Sequence, residues 1–305
     1  MVEHQGIGVV GRLGVAGRMS GVSAQSIGCS GSGRAGAGYE QSSAEGLARA
    51  LRDGEFRMHY QPQLDCRSGR VIGAEALMRW NSSALGRWVS PVDFIPLAER
   101  DGFIVELGDW SMAHVMRTLR LWQDAGRLPA GFKMAINLSA RQLTPALPER
   151  IACLLGEAGI APPLIELEIT ESHFSPDMAG MADIAHQLRR LGLRLAIDDF
   201  GTGYSILAHL RHIPANTVKI DRGLTRKVLS VERDHIIMRS LIGMIRDLGM
   251  QSVCEGVETA EELAALRQMG ADSWQGFLSS PAVPAEDFIG FFGVCAAEAS
   301  HDLTV

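Results

Sequence analysis

The sequence has no apolar run long enough to cross a membrane. No stretch approaches 18 uninterrupted apolar residues, which is about the length that a membrane-spanning helix requires. The N-terminus also lacks the continuous apolar segment of a secretory signal, because glycine and arginine interrupt it. We therefore expect a cytoplasmic protein without a membrane partner.

Cysteine and histidine are present but form no recognisable cluster. The five cysteines are odd in number and widely scattered, with no C-x-x-C pair, and the nine histidines include no H-E-x-x-H motif. This spacing argues against a disulfide framework and favours reduced thiols, as in a cytoplasm. It also excludes the usual sequence patterns of zinc sites.

Positive charge is in deficit. The formal net charge is −6 and no block of basic residues stands out. A protein that binds DNA or RNA polymers does so largely through cationic contacts to phosphates. We therefore expect no polymeric nucleic acid partner.

The first segment of the chain has no aromatic residue. Residues 1–38 contain eleven of the 34 glycines. One of the glycine runs fits the dinucleotide-binding pattern G-x-G-x-x-G, but this pattern must follow a strand, and only five residues precede it here. Such a segment buries too little apolar surface to offset its ordering entropy. We predict a disordered tail over residues 1–41, one folded domain over 42–297 and a C-terminal tail over 298–305.

The folded part alternates between strand-like and helix-like stretches. FRMHYQPQLD alternates like a strand, and a turn at Arg67–Arg70 leads into a second apolar run, which together predict a hairpin. Strands such as KMAINL, LIELEIT and LRLAID then alternate with amphipathic helices. This pattern is typical of a parallel sheet covered by helices. The predicted fold is α/β, a TIM-type (β/α)8 barrel with one antiparallel strand near the start.

Polar residues recur where these strands end. They are Glu75, Asn137, Glu168, Asp198, Asp199, Lys219, Glu255 and Gln275. In a barrel, the C-terminal ends of the strands meet at one mouth. Five carboxylates gathered there repel one another unless cations lie between them. Carboxylate and amide oxygens without Cys or His suit Mg²⁺ or Mn²⁺, and two such ions can activate water for displacement at phosphorus.

Each of these residues taken alone has an ordinary structural explanation. A single Glu in a strand is usually a paired charge, and an Asp can cap the segment that follows it. Lys219 could extend its ammonium to the surface. The metal-site hypothesis depends on all of them falling at strand ends together.

The same residues lie in motifs that resemble a known family. Glu75–Trp80 reads EALMRW, and the chain from about Ala44 to Phe292 resembles the EAL-domain family of bacterial cyclic di-GMP phosphodiesterases. The supporting motifs, in chain order, are YQP, DFIPLAE, NLS, EITE, DDFGTGYS, VKID, EGVE and QGF. The resemblance implies a barrel of the predicted type and hydrolysis of cyclic di-GMP to linear pGpG.

The resemblance also implies a role for each site residue. Glu75, Asn137, Glu168 and Asp198 would bind one ion, and Asp198, Asp199 and Glu255 a second. Lys219 would hydrogen-bond the attacking water, and Glu171 would brace the loop that carries Asp198 and Asp199. Gln61, Arg79 and Gln275 would contact the nucleotide or the inner shell of the site.

The sequence leaves more than one function open, including hydrolysis of a different phosphoester in the same pocket. The chain could be an active phosphodiesterase with two Mg²⁺ or Mn²⁺ ions, or a catalytically silent cyclic di-GMP receptor that acts through a protein partner. Silent members of the family typically lack a metal ligand or the bracing glutamate, whereas this chain has every one. The resemblance further implies a homodimer.

Overall fold

A computed structural model describes residues 44–170, 178–201, 210 and 212–298 of the chain. The predicted tail over residues 1–41 and nearly all of that over 298–305 lie outside these ranges, as does Glu171. No helix in the described part is long and apolar enough to cross a membrane.

Nine strands form one sheet, and eight of them close it into a barrel. The strands are β1 Phe56–Asp65, β2 Val71–Ser82, β3 Arg87–Val89, β4 Lys133–Leu138, β5 Ile165–Thr170, β6 Arg194–Phe200, β7 Thr217–Ile220, β8 Gln251–Cys254 and β9 Ser273–Trp274. Their order is β1-β9-β8-β7-β6-β5-β4-β2-β3, and β1 also pairs with β2. The β1–β2 pairing closes the barrel and leaves β3 as an extra strand outside it.

The first strand runs opposite to the other seven strands of the barrel. β1 is antiparallel to both β2 and β9, whereas β2, β4, β5, β6, β7, β8 and β9 pair in parallel in that order. The predicted hairpin causes this reversal and places Gln61 opposite Glu75. The prediction of a TIM-type barrel with one antiparallel strand near the start is confirmed.

Helices follow most strands and cover the outside of the barrel. They are α1 Ala44–Arg52, α2 Pro91–Asp101, α3 Ile104–Asp124, α4 Leu147–Ala158, α5 Met178–Arg190, α6 Arg222–Thr225, α7 Glu232–Asp247, α8 Ala260–Met269 and α9 Ala285–Glu298. Local sequence sets their ends. Thr259 and Glu262 form a capping box at the start of α8, and Gly270, with a φ of 83°, ends it in the left-handed region.

Alternation along the strands separates an apolar exterior from a polar interior. On β5, Leu167 and Ile169 belong to the main hydrophobic core between barrel and helices, while Glu166 and Glu168 are buried polar residues. Side chains two residues apart on a strand share a face, so both glutamates point into the barrel. A TIM barrel usually fills that space with branched apolar side chains, and this departure marks the interior for a function.

Gly276 lies where the chain after β9 touches the loop after β8. A Cβ at this position would lie 2.1 Å from the Val257 carbonyl oxygen and 2.3 Å from its nitrogen. We expect Gly276→Ala to lower the free energy of unfolding by about 1–3 kcal/mol, the usual cost of overpacking, as measured by urea denaturation. Gly243→Ala is the matched control, since nothing lies within 4 Å of its added Cβ; an equal loss in both variants would contradict the prediction.

Candidate active site

The barrel mouth brings the predicted strand-end residues together around one ammonium group. Lys219 Nζ on β7 lies 3.2 Å from Glu75 Oε2, 2.9 Å from Glu168 Oε2, 3.2 Å from Asp198 Oδ1 and 2.8 Å from Glu255 Oε1. The lysine side chain is 1% exposed. A single cation therefore contacts four carboxylates that come from four different strands or strand ends.

Amide side chains complete the inner surface on the side of Glu75. Asn137 Nδ2 donates to Glu75 Oε1 at 2.8 Å, and Gln275 Nε2 donates to Glu75 Oε2 at 2.5 Å. Gln275 also donates to Gln61 Oε1 at 3.2 Å, and Gln61 in turn donates to the Ser280 carbonyl. Because Gln61 lies directly opposite Glu75 in the hairpin, the reversed strand contributes to the site as well.

The end of β6 turns sharply between its two aspartates. Asp199 has a φ of 54°, the only positive value among the described non-glycine residues, and the ladder to β7 shifts register between Ile197 and Phe200. The backbone N–H of Asp199 donates to Asp198 Oδ1 at 2.9 Å. The left-handed conformation is costly for such a residue. It lets two consecutive aspartates face one site, since regular strand geometry would point them to opposite faces.

The cluster contains one cation, Lys219, and more carboxylates than this cation can neutralise. Burial disfavours the Lys219 ammonium, but the surrounding carboxylates outweigh it and raise the pKa of Lys219 well above its usual value. Burial also disfavours the Glu75 carboxylate, yet Lys219 and the two amide donors lower its pKa below the usual value. This lysine and this glutamate form a stable ion pair.

The other carboxylates are not neutralised to the same degree. Burial, reinforced by neighbouring carboxylates, outweighs Lys219 and raises the pKa of Glu255 to about 8. The same balance raises the pKa of Glu168 well above its usual value and raises those of Asp198 and Asp199. The buried carboxylates therefore outnumber the one lysine that can neutralise them. Additional cations bound among them would stabilise their ionised forms.

The donor set fits a hard divalent metal. Oxygen atoms of Asp198, Asp199 and Glu255 all lie within 4.8 Å of one another. Glu168 is fully buried, and its Oε1 has no hydrogen-bond partner within the described part of the chain. A buried carboxylate oxygen without a partner is costly, and a metal ion would remove that cost. Oxygen donors alone suit Mg²⁺ or Mn²⁺ rather than zinc.

Arg79 and an adjacent cavity were only partly foreseen. Arg79 lies at the mouth on β2, and burial lowers the pKa of its guanidinium while Glu75 opposes that effect. It borders a cavity of about 470 Å³ that also touches Glu75 and Asn137 and extends between α2 and α3. The lining is largely apolar, including Val92 and Ile95. The sequence points to Arg79 and to the DFIPLAE motif, but nothing in it predicts that they share a cavity.

The fold and the site together define a TIM-type barrel with an acidic, metal-compatible mouth. The EAL domain family model matches residues 44–282. The chain therefore belongs to the EAL domain family, and this resemblance is confirmed.

Curated relatives support the same assignment. The chain is 38% identical over 244 residues to MucR of Pseudomonas aeruginosa, a bifunctional diguanylate cyclase/cyclic di-GMP phosphodiesterase, covering 80% of this chain and 35% of MucR. It is 35% identical over 243 residues to the cyclic di-GMP phosphodiesterase PdeR of Escherichia coli, covering 79% of this chain and 36% of PdeR. The chain thus spans about a third of the length of these relatives.

Solved structures share the fold. A structure of the PaMucR phosphodiesterase in complex with c-di-GMP has a TM-score of 0.75 at 37% identity, covering 79% of this chain and 97% of that one. The EAL enzyme Bd1971, in a form bound to cAMP and cyclic di-GMP, has a TM-score of 0.77 at 32% identity, covering 82% and 68%.

We expect divalent metal to stabilise this protein. Mn²⁺ at a hundredfold excess over its Kd should raise the free energy of unfolding by about 2.7 kcal/mol, because it binds carboxylates that fold into one place only in the native state. Thermal unfolding with and without Mn²⁺ measures the effect, with KCl at matched ionic strength as control. Equal melting temperatures in Mn²⁺ and KCl would contradict the metal site.

Proposed function

We propose that this protein hydrolyses one phosphodiester bond of cyclic di-GMP and releases linear pGpG, with two Mg²⁺ or Mn²⁺ ions in the site. The observation that carries the proposal is the set of buried carboxylates around Lys219 at the mouth of an EAL-family barrel. The relatives named as cyclic di-GMP phosphodiesterases support the choice of substrate.

The metal ligands of the proposal are side chains that already converge. Glu75, Asn137, Glu168 and Asp198 would hold one ion, and Asp198, Asp199 and Glu255 the other. The ions would supply an activated water and charge stabilisation for the attacking and leaving oxygens. Glu171, the proposed brace for the aspartate loop, lies outside the described residues.

Lys219 has a role that does not require it to lose a proton. An ammonium donates hydrogen bonds and accepts none, and the carboxylates hold the pKa of Lys219 well above its usual value. It would act as a donor that orients the attacking water and offsets negative charge.

The cavity beside Arg79 provides the features that a guanine nucleotide needs. Its apolar lining suits a planar base, and Arg79 at its edge can donate two hydrogen bonds to phosphate oxygens. Gln275 donates to both Glu75 and Gln61, and the two glutamines would contact the ribose or phosphate. The geometry favours a substrate with a phosphodiester next to a base, as in cyclic di-GMP.

We expect Arg79→Lys to raise KM for cyclic di-GMP by about tenfold, since lysine cannot make the forked contact to phosphate. Its kcat should change less, because the metal ligands are untouched. Steady-state kinetics measure both values. Arg87→Lys, an exposed position on β3, is the control, and an unchanged KM in Arg79→Lys would remove this arginine from the substrate site.

A direct assay tests the proposal. Purified protein is incubated with cyclic di-GMP and Mg²⁺ or Mn²⁺, and pGpG is followed by chromatography, with a metal-chelated sample as control. Formation of pGpG only in the presence of metal supports the enzyme. Tight nucleotide binding without turnover would favour the silent receptor instead.

The homodimer remains part of the proposal. It rests on the family resemblance, and light scattering of the full chain with and without cyclic di-GMP measures it. A monomer mass under both conditions would remove it without affecting the proposed chemistry.

A further inference from the structure

A second polar cluster lies inside the barrel, one layer below the acidic mouth. Its centre is Glu166 on β5, which is 0% exposed. Thr217 Oγ1 on β7 donates to Glu166 Oε1 at 2.6 Å, and Arg194 Nε on β6 donates to the same oxygen at 3.2 Å. Lys133 Nζ on β4 lies 3.5 Å from Glu166 Oε2. One carboxylate therefore contacts side chains from three other strands.

The four strands in this cluster are the strands that carry the upper site. Going up the interior face, Lys133 precedes Asn137, Glu166 precedes Glu168, Arg194 precedes Asp198 and Thr217 precedes Lys219, by either two or four residues. Even spacing keeps each pair on one face of its strand. The lower cluster therefore connects β4, β5, β6 and β7 directly beneath the residues proposed to bind metal and water.

The strand that carries Lys219 has an irregular ladder on one side. β7 has four residues, and its ladder to β6 shifts register between Ile197 and Phe200, at the level of Asp198 and Lys219. The pairs before the shift, Ala196–Thr217 and Ile197–Val218, are regular, and Lys219 pairs with Val253 on β8, but the ladder to β6 gives Lys219 itself no main-chain partner. Two side-chain contacts span β6 instead: Glu168 with Lys219 at 2.9 Å, and Glu166 with Thr217 below it.

A buried ionic cluster is a poor means of gaining stability. Desolvation of such charges often exceeds their attraction, and apolar replacements of similar volume are often more stable. Apolar branched residues are also what this layer of a TIM barrel usually contains. The best-attested benefit of buried polar contacts is that they fix one arrangement among several, and here they lie beside the irregular part of the β6–β7 ladder.

We propose that Glu166 and Thr217 are positioning residues that set the height of Lys219 against Glu168, and through it the geometry of the acidic site. Neither residue touches the substrate or the proposed metals. The inference rests partly on the proposed function, because the consequence for turnover exists only if the site is catalytic.

Substitutions at Thr217 give the sharpest test, because they leave Glu166 with Lys133 and Arg194. Thr217→Val keeps the shape and removes the hydroxyl, whereas Thr217→Ser keeps the hydroxyl and removes the methyl. In the full chain we expect Thr217→Val to lower kcat by about tenfold, since residues that orient the groups of a metal site cost about 10- to 100-fold, and to tighten Mn²⁺ binding by up to about tenfold, because the displaced ammonium competes less for the shared carboxylates. KM should stay near the wild-type value, and Thr217→Ser should restore both properties.

A matched control separates positioning from general damage to the barrel interior. Ser273 on β9 is also buried, but its hydroxyl donates to the Ser252 carbonyl and does not contact Glu166. Ser273→Ala should therefore leave kcat and Mn²⁺ affinity within about twofold of the wild type, whatever its melting temperature. Equal losses in Thr217→Val and Ser273→Ala would overturn the inference, as would equal losses in Thr217→Val and Thr217→Ser.

Two readouts do not depend on the reaction. Mn²⁺ binding is measured by electron paramagnetic resonance, and crystal structures of wild type and Thr217→Val compare the distance from Lys219 Nζ to Glu168. We expect that distance to lengthen in the valine variant, and an unchanged distance with unchanged Mn²⁺ affinity would overturn the inference. Absence of pGpG formation by the wild type would count against the proposed function alone, and these two readouts would still decide the role of Thr217.

Discussion

Glu75→Gln and Glu255→Gln should each lower kcat for cyclic di-GMP by more than about a hundredfold. Both substitutions keep the shape of the side chain and remove the charge of a proposed metal ligand. Residues that only hold a ligand in place already cost about 10- to 100-fold when lost, so the ligands themselves should cost more. Steady-state production of pGpG in Mg²⁺ and in Mn²⁺ measures the loss.

Stability separates this loss from misfolding. The pKa of Glu255 in the folded protein is about 8, above its usual value of 4.5. The free energy of unfolding therefore has its full contribution from this group below pH 4.5 and loses it progressively as the pH rises from 4.5 through 8. The neutral glutamine has no such dependence. Without added metal at pH 9, we therefore expect Glu255→Gln to be more stable than the wild type while being far less active.

An exposed glutamate provides the matched control. Glu261→Gln, in the first turn of α8, removes the same charge at the surface and should keep wild-type kcat and stability within experimental error. If Glu75→Gln and Glu255→Gln both behaved like this control in the pGpG assay, the two-metal assignment would be wrong.

Local sequence patterns were sufficient to predict the barrel and which residues meet at its mouth. Alternation of apolar residues identified β5, and the rule that parallel strands end at one rim placed Glu168, Asp198 and Glu255 together. The reversal of β1 followed from the short turn at Arg67–Arg70. These features depend on residues close in sequence or on general properties of parallel sheets, so no tertiary contact had to be known.

Features that depend on packing across the barrel could not be predicted. LIELEIT contains Glu166 two residues before Glu168, and this spacing signals a second inward carboxylate, but its contacts with Arg194 and Thr217 require the strand order and register. The four contacts of Lys219 likewise depend on the height of β7. The extra strand β3 is three residues long, too short to show a period.

Lys219→Met should reduce kcat by about 100- to 1,000-fold, the usual cost of losing a preorganised donor that stabilises developing charge. Methionine is close to lysine in length and suits a buried position, so the barrel should remain folded. The variant removes the one ammonium that contacts Glu75, Glu168, Asp198 and Glu255. Single-turnover formation of pGpG at saturating metal measures the effect on chemistry.

The same substitution should have the opposite effect on metal affinity. In the wild type, a divalent ion would compete with the Lys219 ammonium for the same carboxylate oxygens, because like charges a few ångströms apart repel strongly in a buried site. Without the ammonium, Mn²⁺ should bind at least about tenfold more tightly, a change of about 1.4 kcal/mol. Lys227→Met, at an exposed position, should change neither property.

Two outcomes would contradict this role of Lys219. If Lys219→Met bound Mn²⁺ more weakly, Lys219 would itself help to hold the metal. If it turned over cyclic di-GMP at the wild-type rate, Lys219 would be dispensable for the reaction. Tighter metal binding together with slower chemistry is the combination that a fixed donor between metal ligands requires.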